Sequence, residues 1–130
     1  MKQKIGSVSL LVRDYDEAIA FYVEKLGFEL IENTDRGNGK RWVLVAPQNS
    51  TETCLLLAKT SSPEQLSHIG NQTGGRVFLF LHTDNFWRDY KKMKANGVHF
   101  LEEPRNESYG TVVVFEDIYG NKWDLLEMKA

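Results

Sequence analysis

"DYDEAIAFYVEKLG", residues 14–27, decides the fold, because "DNFWRDYKKMKANG" at residues 84–97 repeats its plan. In each stretch an Asp follows an apolar run, large apolar side chains recur at helical spacing, and a Gly closes the segment thirteen residues after the Asp. An Asp in that place can accept from the orphan amides of a first helical turn, and a Gly takes the left-handed backbone that stops a helix. Glu17 stands three residues after Asp14, as in a capping box. The first helix is expected to bury Tyr15, Ala18, Ile19, Tyr22 and Leu26 on one face, and the second to bury Phe86, Tyr90 and Met93.

Outward from the helices the pattern changes to strands. Residues 5–12 precede the first helix; "FELIEN", "RWVLVAP" and "TCLLLAK" follow it, separated by the turn-forming "TDRGNGK" and "PQNST". Around the second helix the strands are "GRVFLFLHT", "VHFLEE", "GTVVVFED" and "NKWDLLEM". A strand-helix-strand-strand-strand order read twice implies an internal duplication. The expected architecture is α+β: one domain of two βαβββ units, residues 1–60 and 75–130, joined by a linker at 61–74. The linker region "TSSPEQLSHIGNQTGG" is polar and rich in breakers, yet Leu66 and Ile69 predict that part of it docks as a short helical turn. Each helix needs a sheet to bury against and the strands need one covered face, so the helices are expected on the outer, convex side.

Composition narrows the function. With 130 residues and 42% apolar content, the chain can build one domain with a real core. A net charge of -2 leaves no broad basic field for nucleic acid, and no apolar run reaches the roughly 20 residues of a membrane-spanning helix. The single Cys54 excludes an intramolecular disulfide and reads as a small core residue of its strand, and the beginning of the chain shows no convincing signal-peptide cleavage site. The expected setting is cytoplasmic, with a small molecule or a second protein as partner. The strands "VVVF", "FLFL" and "LLL" carry more apolar surface than two short helices can cover, which predicts a homodimer.

The doubled unit, with "AFYVEKLGF" after the first strand and "FEDIYGNKWDLLE" at residues 115–127, resembles the vicinal oxygen chelate superfamily, which includes glyoxalase I, extradiol dioxygenases, fosfomycin-resistance enzymes and bleomycin-resistance proteins. The resemblance covers nearly the whole chain. It implies a curved, cup-shaped mixed sheet and, in metal-dependent members, ligands from the first and last strands of each unit. The matching positions here are Ser7, Val77 or Phe78, Leu55 or Leu56, and Asp124. One carboxylate and one hydroxyl make a poor site for a transition metal, which favours imidazole, thiolate or several carboxylates. His68, His82 and His99 fall outside those positions.

The resemblance therefore implies a glyoxalase/bleomycin-resistance-like small-molecule binding protein with no metal or other cofactor. The alternative is a divalent-metal-dependent lyase or isomerase with Asp124 as ligand or base. Candidate ligand-binding residues are Ser7, Arg41, Trp42, Gln72, Arg76, Arg105, Tyr109 and Asp124. Guanidinium forks hold carboxylates or phosphates, and Trp or Tyr faces stack on planar or cationic groups. The competing reading is that Arg41 and Arg105 pair with acids such as Glu102, Glu103 and Glu107, and that Trp42 packs in the core or an interface. Alternation along the last strand puts Asp124 on one face with Lys122 and Leu126, opposite Trp123 and Leu125. If that face is the inside of the cup, Asp124 and Ser7 are expected to form a polar, metal-free floor in which Asp124 accepts hydrogen bonds, an arginine serving as counter-ion.

Overall fold

The computed structural model describes residues 2–130, and Asp14 begins the first helix as its position requires. Its carboxylate accepts from the Glu17 amide at 2.8 Å, and α1 runs Tyr15–Ile19. The helix then widens into a π-helical stretch, Ala20–Lys25, in which the Leu26 amide reaches back to the Phe21 carbonyl at 3.0 Å. A uniform 3.6-residue period does not anticipate this widening. It brings Phe21 into the core edge-to-face on Tyr22, with ring centroids 5.1 Å apart, and leaves Ile19 and Leu26 only partly buried. Gly27 ends the segment at φ 80.

The chain divides into two compact units, Met1–Ile69 and Gly70–Ala130, with the division inside the stretch read as a linker. In the first unit, β1 (Ser7–Val12), β2 (Glu29–Gly37), β3 (Lys40–Ala46) and β4 (Cys54–Lys59) form a sheet in the order β1-β4-β3-β2. β1 and β4 are parallel, and the other pairs are antiparallel. α1 packs on β3 and β4, and Leu10, Val12, Val43, Val45, Leu55 and Leu57 are buried on that side. The linker contributes α2 (Pro63–Ser67), capped by Ser62 and lying against β1. The helical turn is as expected, but Leu66 stays 54% exposed and does not dock it.

The second unit repeats the plan. β5 (Leu79–His82), β6 (His99–Phe100), β8 (Gly110–Glu116) and β9 (Lys122–Met128) follow the order β5-β9-β8-β6, and β7 (Arg105–Glu107) also pairs with β8. β5 and β9 are parallel, as β1 and β4 are. The helix α3 (Phe86–Ala95) is capped one residue later than the spacing predicts. Asn85, not Asp84, accepts from the Arg88 amide at 3.2 Å, while Asp84 takes the Arg88 guanidinium at 2.9 Å. Glu127 of β9 accepts from the Phe86 amide at 2.7 Å, fixing the helix start on the sheet.

A run of rings fills this core. Phe86 stacks on Tyr90 at 5.8 Å, Tyr90 meets Phe100 at 4.7 Å, Phe100 meets Phe115 at 6.1 Å, and Phe115 stacks on Trp123 at 5.8 Å. The turn between β8 and β9 is satisfied within itself. The buried Asp117 carboxylate accepts from the amides of Tyr119 and Asn121 at 2.9 Å and from Asn121 Nδ2 at 2.8 Å. The acid of "FEDIYGN" is thus a structural pin of the hairpin.

Candidate functional site

α3 and the ring stack lie on one side of the second unit's sheet, and no helix of that unit packs on the other side. Register identifies what the second side presents. Phe80, Asp124 and Val114 form one row across β5, β9 and β8. His82, Leu126, Val112 and Arg105 form the next, and Lys122, Glu116 and His99 the row on the opposite flank. Asp124 therefore shares a face with Lys122 and Leu126, as alternation requires.

Across the strands the Asp124 carboxylate is flanked by Phe80 and Val114. Asp124 is half-buried, and its Oδ1 is fully enclosed with no hydrogen-bond partner. The expected hydrogen bonds from an arginine are absent at this oxygen, because Arg105 is engaged elsewhere: its Nε donates to Glu102 at 3.0 Å and its Nη1 to Glu107 at 3.1 Å. Tyr109, 44% exposed, also hydrogen-bonds the Arg105 side chain. Glu102 does two jobs. Its Oε2 accepts from Arg105 and from the Val114 amide at 3.1 Å, closing the interruption between β6 and β7 on the flank of β8.

Burial pushes the Asp124 pKa above its ordinary value; Arg105 opposes the shift and Glu102 adds to it. The folded state thus holds this proton more tightly than the unfolded chain does. The stabilising contribution is full below the unfolded pKa and is lost as pH rises through the folded one. Asp124→Asn removes that pH-dependent loss. Urea unfolding is expected to show the variant gaining on the wild type as pH rises from about 3 to about 7.

The other sequence-selected residues are distributed as follows. Trp42 lies opposite Thr34 and shares a face with Leu44 and Leu56, away from α1 in the first unit. The Arg36 guanidinium sits 5.8 Å from its ring centroid. Ser7, opposite Cys54 on β1 and β4, occupies the same face as Ser9 and Leu11. Arg41 points the other way. It meets Asp16 of α1 at 2.9 Å and Asn33 at 3.1 Å, and lies 5.1 Å from the Tyr15 ring, so alternation separates it from Trp42. Gln72 and Arg76 are in the loop before β5, Gln72 half-buried and Arg76 exposed. The structure thus brings Arg105, Tyr109 and Asp124 together in one unit, and Ser7 and Trp42 onto one face of the other.

Sequence reasoning gave no role in the site to Phe80, Val112 and Val114, which form the apolar part of the Asp124 face. Period-two alternation around Asp124 was the signal that could have found them. An open groove of about 460 Å³ also lies beside the end of α3, lined by Tyr90, Lys94, Val98, Phe100 and Leu101 among others. Lys94 already sits 5.6 Å from the Tyr90 ring centroid there, and the groove lacks an enclosed unsatisfied polar group.

Comparison with known proteins decides the family. The sequence model of the Glyoxalase/Bleomycin resistance protein/Dioxygenase superfamily matches residues 4–125. The chain belongs to that superfamily. An uncharacterized protein of Shewanella frigidimarina (strain NCIMB 400) is 58% identical over 129 residues, covering 98% of this chain and 96% of the relative. Among solved structures, UcmS2 is 33% identical with a TM-score of 0.84, covering 97% of this chain and 98% of its own. TnmS3, described as an antibiotic binding protein from Streptomyces sp. CB03234, is 29% identical with a TM-score of 0.79, covering 98% of each chain.

The metal used by chelating members of the superfamily does not fit the residues present. In the second unit Asp124 has Phe80 and Val114 as its neighbours across the strands, and in the first unit Ser7 has Cys54; none of these neighbours is an imidazole or a carboxylate. Among the described residues no group of three or more His, Cys, Asp or Glu side chains is arranged around a common point. His99 is paired with Glu116 at 2.7 Å, and His82 and His68 are exposed.

Proposed function

We propose that this superfamily member is a metal-independent small-molecule binding protein, with the Asp124 face of the second unit as part of its ligand site. The observation that carries this reading is the enclosed, unpartnered Oδ1 of Asp124 on a sheet face free of helices from its own unit. A buried acceptor without a donor is costly in a folded protein, and a ligand that supplies the donor recovers that cost on binding. The description of TnmS3 as an antibiotic binding protein supports antibiotic-like molecules as the first class to test.

Thermal-shift measurements with an antibiotic panel, and separately with micromolar Ni, Zn, Mn and Fe, test the proposal. The expected result is a rise in melting temperature with at least one antibiotic and none with the metals. Stabilisation by a metal that disappears in Asp124→Ala would instead support the lyase or isomerase reading.

The same proposal includes a cytoplasmic homodimer. Ile5 and Trp42 in the first unit, and Phe80 and Met128 in the second, are each exposed by 38% or more, apolar area on each unit that a second copy would cover. Sedimentation at tens of micromolar is expected to show a dimer, and a stable monomer would count against it.

A further inference from the structure

The chain contains two Asn-Gly pairs, Asn38-Gly39 and Asn96-Gly97. We infer that Asn38 is a site of spontaneous covalent modification, converting to isoaspartate and aspartate in the folded protein, while the fold protects Asn96. In this conversion the glycine backbone nitrogen attacks the side-chain amide carbon of the asparagine. A ring C–N bond forms, the bond to the side-chain nitrogen breaks, and ammonia leaves carrying the glycine amide proton. The cyclic imide then adds one water at either carbonyl, giving aspartate or isoaspartate with no oxidant or reductant. Glycine suits the step because no Cβ crowds the attacking nitrogen. Asn38 and Gly39 form the turn closed by the pairing of Gly37 with Lys40, and residues 33–40 are all exposed. Asn38 lies at φ 56 and Gly39 at φ 78. Left-handed backbone turns the following nitrogen away from the side chain, so attack requires the tip to rotate. Little packing opposes that rotation, since a Cβ built at Gly37 or Gly39 meets no atom within 4 Å. Asn96 is also exposed, so access does not separate the two pairs. There the Asn96 amide donates to the Lys92 carbonyl at 3.0 Å, and the Gly97 amide, the required nucleophile, donates to the Lys94 carbonyl at 3.1 Å. The next residue, buried Val98, donates to the Met93 carbonyl at 3.0 Å. Turning the Gly97 nitrogen onto the Asn96 side chain breaks this helix end and lifts Val98 from the core. At Asn38, isoaspartate adds a methylene to the backbone of the tip, and either product adds a carboxylate between Arg36 and Lys40.

Peptide mapping by mass spectrometry, after incubation of the full chain at neutral pH and physiological temperature, tests this. In urea the two pairs are expected to convert at similar rates. In the folded protein Asn38 is expected to convert at least about tenfold faster than Asn96, with isoaspartate exceeding aspartate. Gly39→Ala strains the turn at positive φ and so favours its opening, yet is expected to slow conversion of Asn38 about tenfold by crowding the nucleophile, with Asn96 unchanged as the internal reference. Equal rates at the two positions in the folded protein would overturn the inference. So would an Asn38 that stays intact when folded but converts in urea, or a rate that Gly39→Ala leaves unaltered.

Discussion

Phe115→Ala is expected to lower the stability of the protein by about 3–5 kcal/mol in urea unfolding. Phe115 is fully buried between Phe100 and Trp123, in the ring series that continues through Tyr90 to Phe86. Truncation removes the transfer free energy of the ring and leaves a cavity whose walls are held on one side by strand pairing and on the other by α3. Those walls cannot close freely, so the loss should fall at the upper end for an aromatic site. Phe115→Leu, which keeps more volume, is expected to cost less than half as much. Equal losses for the two variants would contradict this expectation and show that retained volume does not substitute for the ring contacts.

Gly110→Ala is the second large effect, with about 3–4 kcal/mol lost and the β7–β8 hairpin displaced. A Cβ at Gly110 would lie 2.2 Å from the Glu127 carbonyl oxygen and 3.0 Å from Met128 Cα, both backbone atoms of β9. Backbone cannot rotate aside as a side chain can. β8 must therefore shift away from β9 or break pairing at its start, where the Lys129 amide donates to the Tyr109 carbonyl at 2.9 Å. Since Tyr109 and Arg105 belong to this hairpin, the variant should also weaken ligand binding at the Asp124 face. Unchanged stability would mean that the close approach relaxes without cost.

Most of the architecture was legible because it depends on local spacing. Asp14 with Gly27, the stop at Gly97, and the apolar runs between them fixed the order of elements in both units before any contact was known. Details that depend on competition between neighbouring side chains were not legible. Asp84 and Asn85 are both good caps, and the choice fell to Asn85 because Arg88 pairs with Asp84. The π-helical turn follows from packing Phe21 and Tyr22 together, which a periodicity count does not weigh. Arg105 reads as a loop residue because Pro104 and Asn106 flank it; only the pairing of β7 with β8 and the reach of Glu102 to the Val114 amide make it part of the sheet.

The site was legible at one position for the same reason. Alternation through Trp123, Asp124 and Leu125 gave the face of Asp124, but sequence could not reveal that both glutamates would occupy Arg105 and leave Oδ1 without a donor. It also placed Arg41 and Trp42 together as candidates, although consecutive strand residues point to opposite faces.

The central claim is metal-independent ligand binding at Asp124, and calorimetric titration of the molecule giving the largest thermal shift, with and without EDTA, tests it most directly. Affinity is expected to be unchanged by EDTA and reduced at least about tenfold in Asp124→Asn. Affinity abolished by EDTA and restored by a divalent ion, or left intact in Asp124→Asn, would contradict it.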